Sequence, residues 1–291
     1  MILVTGGTGT LGSVLVNQLI AEGYPVRVLT RHAELATALN ARGVEAIVGT
    51  VENQEDADRA ARGCSTVISA MSGFGPRSGS SPDRVDLAGN RNLLVAARRS
   101  GTEHFIMVSM HGAAENHPLQ LARLKYEFER ELMSAPLAWT IVRPTVLTET
   151  FAAVIGAPMR KAGVAVIFGD GQQKINFVSV HDVAAVLVLA VADPALRGKA
   201  IDMGGPENLT MNQFVAALRS RYGSSGATVH IPRAVLRMVT RWPALTPDSV
   251  GRTVESALHL ADTGHSLDAL PARSSVPDVP LTTVSQAFAL L

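Results

Sequence analysis

Thr5-Gly6-Gly7-Thr8-Gly9-Thr10-Leu11-Gly12 is the stretch of this 291-residue chain whose residue types and spacing most plainly suit a chemical task. It lies between a short apolar run and a helical one. In such a loop one glycine allows the tight turn, one lets backbone approach a diphosphate, and Gly12 lets the helix pack close to the strand. The anion would rest on the amides of Thr8, Gly9, Thr10 and Leu11, where a helix begins and its dipole favours negative charge. The Gly-Lys-Ser/Thr ending of a mononucleotide loop is absent. About 20 residues further on, an NAD site places the carboxylate that binds ribose hydroxyls. Here the second apolar run ends Leu29-Thr30-Arg31, without a carboxylate. Arg31 can instead fork onto a 2′-phosphate and stack on adenine, a solvated strand-end cap being the bland alternative. The spacing therefore predicts NADP(H) rather than NAD(H).

Other residues invite smaller claims. Ser109 closes an apolar run on the edge where ligands bind and can hydrogen-bond substrate or ribose; a strand-end cap is the bland alternative. His111, two residues on, can titrate usefully or be a plain loop histidine. His181 and Asp182 precede an apolar helix, where Asp182 suits an N-cap or first-turn carboxylate. Cys64, the single cysteine, excludes an intrachain disulfide and reads as a buried structural thiol. No His, Cys or carboxylate spacing suggests a metal.

Positioning these residues requires a regular alternation. Strands are expected at residues 2–4, 26–29, 44–48, 67–70, 105–108 and 139–142, and helices at about 10–21, 33–42, 53–62, 83–99 and 118–134. Short Val- and Ile-rich runs separated by helices are the mark of parallel βαβ units, wound right-handed into a doubly wound α/β Rossmann sheet. Residues 1–148 form this dinucleotide-binding domain. Residues 149–291 form a smaller, substrate-side C-terminal domain, with about 177–204 able to return to the main sheet. There, strands are expected near 163–171, 176–180 and 200–203, and helices at 183–192 and 211–221. Residues 72–82 are loop chemistry throughout, either a flap over the ligand edge or a plain surface loop.

Composition bounds the partners. Hydrophobic residues make up 47% and aromatics 4%, which suits strands buried on both faces. With a net charge of +1 and no basic tract, nucleic acid is not an expected partner. The apolar run 183–192 is about half a membrane span. Nothing before the first strand fits a secretory leader. The expectation is a cytoplasmic protein with a small-molecule substrate, acting as a monomer or homodimer.

With these residues placed, the chain resembles the atypical short-chain dehydrogenases/reductases, specifically the NmrA-like, NAD(P)H-binding group. The resemblance rests on Val4-Thr5-Gly6-Gly7-Thr8-Gly9, on the helix 86–97, and on Phe105-Ile106-Met107-Val108-Ser109. Lys125 with Glu129, the passage Trp139-Thr140-Ile141-Val142-Arg143-Pro144, and Phe177-Val178-Ser179-Val180-His181-Asp182-Val183-Ala184 complete it. It covers about two thirds of the chain and is thin beyond Leu209. It implies that Val51 neighbours the adenine, that Ala70 and Met71 line the nicotinamide ribose side, and that Pro144 borders the nicotinamide. Thr50 stands where family members often carry Asp. Lys125 aligns with the superfamily lysine that holds the ribose, which makes it a candidate ribose ligand or proton donor, with a solvated helix residue as the plain alternative. Leu121 then occupies the position of the superfamily's acidic tyrosine. The tyrosines Tyr24, Tyr126 and Tyr222 are followed four residues later by Val28, Arg130 and Gly226, so Tyr-x-x-x-Lys is absent.

The leading expectation is an NADPH-dependent reductase of a small apolar carbonyl, quinone or conjugated substrate, with Phe151, Trp242 and several methionines able to build its pocket. A non-catalytic NADP(H) sensor is the alternative, favoured by the missing tyrosine. A nucleotide-sugar epimerase or dehydratase is the third, weakened by the same absence.

Overall fold

The computed structural model describes residues 1–74, 80–223, 225–241, 247–267, 276, 279 and 281–291. The expected alternation runs through its first half: β1 (Ile2–Thr5), α1 (Thr10–Ala21), β2 (Val26–Thr30), α2 (Ala33–Asn40), β3 (Glu45–Val48), α3 (Gln54–Ala61), β4 (Thr66–Ser69), α4 (Asn90–Arg99), β5 (His104–Val108), α5 (Gln120–Met133) and β6 (Ala138–Pro144). Then follow β7 (Val146–Leu147), α6 (Thr148–Ala162), β8 (Ala165–Phe168), β9 (Lys174–Val178), α7 (Val180–Ala192) and β10 (Lys199–Met203). They are followed by β11 (Glu207–Thr210), α8 (Met211–Tyr222), β12 (Thr228–Ile231), α9 (Arg233–Arg241), α10 (Asp248–Thr263) and a short helix, Val284–Ala289.

The chain folds into two compact units. The first holds Met1–Gly73, residues 80–143 and Val183–Asp202; the second holds Phe74, Pro144–Asp182 and the described residues from Met203 onward. The main sheet has seven strands in the order β10-β6-β5-β4-β1-β2-β3. Strands β1 to β6 pair in parallel, with Ile2 opposite both Val26 and Thr66. Every residue of β1, β4 and β5 is buried. Helices covering both faces demand such continuous apolar runs. Phe105 and Phe128 meet in this core with centroids 6.0 Å apart. Cys64 is buried there as expected, and burial pushes its thiol pKa up. Strand order reverses between β1 and β4, which is the switch point where open α/β sheets bind ligands.

The second unit carries two small sheets, β11-β9-β7 and β12-β8. Its core is aromatic: Phe177 stacks on Phe214 at 4.4 Å, and Phe151 and Phe288 meet Phe214 edge-on. Trp242 lies outside the described residues. Among the described residues, no helix is long and apolar enough to cross a membrane.

Two expected helices begin differently from the sequence reading. The expected helix 83–99 opens with a π-helical stretch, Asp83–Gly89, before α4. A Cβ on Gly89 would come within 2.7 Å of the Val51 side chain, and Asp86 is wholly buried, so this widened turn follows its packing. The apolar helix α7 starts at Val180 rather than 183, because Glu149 accepts from the Val180 amide (2.9 Å) and the Ser179 hydroxyl (2.6 Å). That buried carboxylate serves the helix N-terminus from a distant part of the chain. Asp182 does sit in the first turn, but its carboxylate receives the amide and hydroxyl of Thr282.

His104 is buried in β5, sharing a 2.9 Å hydrogen bond with the Thr140 hydroxyl, and desolvation followed by the charge of Arg197 lowers its pKa from 6.5 to about 4. Between these values the unfolded chain binds the extra proton, so stability rises with pH across about pH 4 to 6.5. The linkage amounts to about 2 kcal/mol between about pH 7 and about pH 5. Denaturant unfolding of the wild type and of His104→Gln at both pH values should show that much less pH dependence in the variant.

Candidate functional site

A cleft of about 210 Å³ opens at the switch point of the first unit. Its floor is the β1–α1 loop, and its glycines have separable reasons. Gly6 adopts φ +77°, and a Cβ there would meet the Ala70 carbonyl oxygen at 2.5 Å. A Cβ on Gly12 would lie 2.0 Å from the Gly6 oxygen, so this glycine lets α1 close on the loop. One on Gly7 would strike Val28 at 2.9 Å. Gly9 is different: its nearest neighbour would be the Gly6 oxygen at 3.3 Å, and φ is an ordinary −80°. Gly9 lines the cleft and forms the N-cap of α1, which has no side-chain capping bond and no acidic residue in its first turn. An uncapped helix start behind a residue without a side chain fits a diphosphate.

Gly6, Thr8, Gly9, Thr30, Arg31, Val51, Ala70 and Met71 line this cleft. Thr10 is exposed at the helix start, whereas Leu11 and Gly12 are buried behind it. Their side of the turn faces the core, and only their backbone could serve an anion. At the β2 exit the Thr30 hydroxyl accepts from the His32 amide (3.3 Å). The nearest carboxylate in sequence, Glu34, pairs with His32 at 3.5 Å. Arg31 is exposed on the cleft wall. At the β3 exit, Asp56 accepts from the Thr50 amide (2.9 Å), so this loop's carboxylate shapes backbone. Val51, 8% exposed, gives the wall an apolar face. His32, Glu52, Ser72 and Val85 also line the cleft and escaped the sequence reading. Glu52 is held by Arg84 (2.5 Å) and Ser80 (2.8 Å), partners no local motif announces.

The β4 and β5 exits are tied together by one buried ion pair. Lys125 Nζ lies 2.9 Å from Asp86 Oδ1 and donates to the carbonyls of Val108 (3.0 Å) and Met71 (3.3 Å). Asp86 Oδ2 accepts from the Gly73 amide at 2.7 Å. Two of the ammonium's three donors go to carbonyls, and the Asp86 carboxylate faces it as an ion pair. Lys125 is 4% exposed and is not among the residues lining the cleft. In this arrangement it fixes the two strand ends. Ser109 is 5% exposed, and its hydroxyl has no hydrogen-bond partner among the described residues. A buried orphan hydroxyl at a ligand edge is a bond left for something else to complete. Pro144 ends β6, is buried, and belongs to the second unit. Of the expected segment 72–82, residues 75–79 lie outside the described residues.

A parallel sheet with its ligand cleft at the switch point, a glycine loop and an uncapped helix start define a dinucleotide-binding Rossmann unit. The profile of the NAD(P)H-binding family matches residues 6–194. A curated relative, the NAD(P)H azoreductase of Xenophilus azovorans, is 31% identical over 223 residues, 77% of this chain and 74% of that protein. Another is the (4-alkanoyl-5-oxo-2,5-dihydrofuran-3-yl)methyl phosphate reductase of Streptomyces griseus subsp. griseus, 32% identical over 75% of this chain and 72% of that one. The Escherichia coli NADPH-dependent quinone oxidoreductase, solved with NADPH, shares the fold with a TM-score of 0.78 at 22% identity, covering 100% of this chain and 99% of that one. The chain belongs to the NAD(P)H-binding family of atypical short-chain dehydrogenases/reductases, which are oxidoreductases.

Two variants follow from this geometry. Gly9→Val puts a branched side chain into the cleft mouth, so calorimetry should find dinucleotide binding abolished while circular dichroism stays native. Lys125→Met strands the Asp86 carboxylate in the interior, which should lower unfolding stability by about 3–5 kcal/mol. Adding Asp86→Asn, which keeps an acceptor for the Gly73 amide, should recover part of that loss in denaturant titrations.

Proposed function

We propose that this protein is an NADPH-dependent reductase of a small, apolar carbonyl, quinone or conjugated substrate. The observation that carries the cofactor choice is Arg31 on the cleft wall at the end of β2, where no carboxylate stands to take the ribose hydroxyls. Arg31 would pair with the 2′-phosphate, the α1 start with the diphosphate, Val51 with adenine, and Ala70 and Met71 with the nicotinamide ribose. Ser109 would complete its hydroxyl bond on ribose or substrate. When bound, the cofactor supplies a hydride; the protein's part is orientation and exclusion of water.

The substrate class is supported by a cavity in the second unit. The cavity is about 220 Å³, and its walls include Phe151, Val154, Ile155, Val166, Phe168 and Leu260. Such a lining favours a flat apolar molecule over a sugar. Of the curated relatives named above, one is by name an azoreductase and the other a reductase of an alkanoyl-oxo-dihydrofuranyl methyl phosphate.

Calorimetry should find NADPH binding tighter than NADH, with Arg31→Ala losing about 1.5–3 kcal/mol of NADPH affinity and little of NADH affinity. Equal affinities in the wild type would remove the cofactor assignment. Purified protein should oxidise NADPH in the presence of members of a quinone, azo-dye and dicarbonyl panel. Tight NADPH binding without turnover of any of them would point to the sensor instead.

A further inference from the structure

Glu52 is the one carboxylate among the residues lining the dinucleotide cleft. Its charge repels the diphosphate that the α1 start would hold, so its presence there calls for a physical reason. Two neighbours weaken that repulsion. Arg84 Nη2 lies 2.5 Å from Glu52 Oε2, and the Ser80 hydroxyl donates to Oε1 at 2.8 Å. Arg84 and Val85 both belong to the π-helical stretch, and Val85 lines the same cleft. Glu52, Ser80 and Arg84 all lie in the first unit. The Glu52 side chain is 16% exposed, so the carboxylate is held in place rather than free in solvent. An ionised carboxylate offers about four lone-pair sites and no donor. Ser80 and Arg84 occupy one on each oxygen, which leaves each oxygen able to accept once more from a ligand.

The turn that carries Glu52 is fixed by the protein itself. The Thr50 amide donates to Asp56, and the Glu52 amide donates to the Thr50 hydroxyl at 3.2 Å. The Asn53 amide donates to the Thr50 carbonyl at 3.1 Å, and Asn92 donates to the Val51 carbonyl at 2.9 Å. Asp56, the other carboxylate of this loop, is thereby committed to backbone. Glu52 is the one that meets the cleft.

Position on the sheet says which part of the ligand it meets. Strands β1, β2 and β3 are successive neighbours, about 4.8 Å apart. The diphosphate belongs at the β1 exit and the ribose with its 2′ group at the β2 exit, beside Arg31. The base then falls one strand further along, at the β3 exit, where Val51 offers an apolar surface to its face. Adenine joined to ribose carries one hydrogen-bond donor group, the amine on C6, while its ring nitrogens accept. We propose that Glu52 accepts a hydrogen bond from this amine and so selects adenine dinucleotides over those that carry hypoxanthine. In hypoxanthine an oxygen replaces the amine, and it would face the carboxylate acceptor to acceptor. Arg84 is a positioning residue, which aims the carboxylate and offsets its charge against the ligand's phosphates. The inference rests on the cofactor placement proposed above.

The test is calorimetry on the full chain with NADPH and with its hypoxanthine analogue. The wild type should bind NADPH about 10-fold or more tightly than the analogue, the scale of one hydrogen bond to a charged group. Glu52→Gln keeps the side chain's length and can turn either its oxygen or its nitrogen toward C6, so the two affinities should come within about threefold of each other. Glu52→Ala, with its fold checked by circular dichroism, should also lose the preference. A wild type without preference would overturn the assignment. So would a preference that survives both substitutions while both affinities fall together, because the carboxylate would then serve the ribose or only brace Ser80 and Arg84. Either result leaves the cofactor placement standing. Dinucleotide binding that Gly9→Val leaves undisturbed would overturn the placement as well.

Discussion

The closest backbone approach in the first unit is the constraint from which its function grows. A Cβ on Gly6 would stand 2.5 Å from the Ala70 oxygen, and one on Gly12 would stand 2.0 Å from the Gly6 oxygen. Three segments therefore meet with no side chain between them: the β1 exit, the start of α1 and the β4 exit. That meeting brings the helix start against the switch point of the sheet. The Ala70 amide donates to Thr5 (3.0 Å), and the Gly9 amide to Gly6 (3.0 Å), so the same contact extends the β1–β4 ladder into the loop. The loop's shape follows from packing, and its open face at Gly9 follows from that shape.

A second layer of organisation is electrostatic. Asp86 and Lys125 are both buried, and a buried pair is weak evidence of net stabilisation. Its value here is geometric. The pair binds backbone on both sides, at Met71, Gly73 and Val108, and so holds the exits of two neighbouring strands in one arrangement. Asn90, buried one turn after Asp86, extends the network by pairing with the Ser69 hydroxyl at 2.7 Å. The π-helical stretch is what carries Asp86 and Asn90 inward together. The wall of the cleft beyond β4 is thus set by polar side chains outside the glycine loop.

Much of this was legible in the amino-acid order because it is local. Alternating Val- and Ile-rich runs, a glycine loop between strand and helix, and Arg31 at a strand end each need only a dozen residues to be recognised. The family could be read from motifs for the same reason. What stayed hidden depends on pairs remote in sequence. Lys125 looks like a free helical lysine until Asp86 is placed against it. Glu149 has no visible reason to be buried until it meets the start of α7. His111 is a plain loop histidine until Asp202 arrives from the far edge strand. The π-helical turn was invisible because its residues are ordinary helix formers, and only Gly89 against Val51 marks the place where the regular pitch fails.

The main sheet is also finished late. Its strands β1 to β6 are complete by residue 144, yet the strand that flanks β6 is not made until residues 199–203. During synthesis β6 is an uncovered edge of an otherwise buried, apolar sheet, and at about 5–20 residues per second it stays so for several seconds. Uncovered edges of this kind recruit other strands. A gene fragment ending at the last consecutive strand would carry that hazard permanently, whatever its glycine loop could still bind.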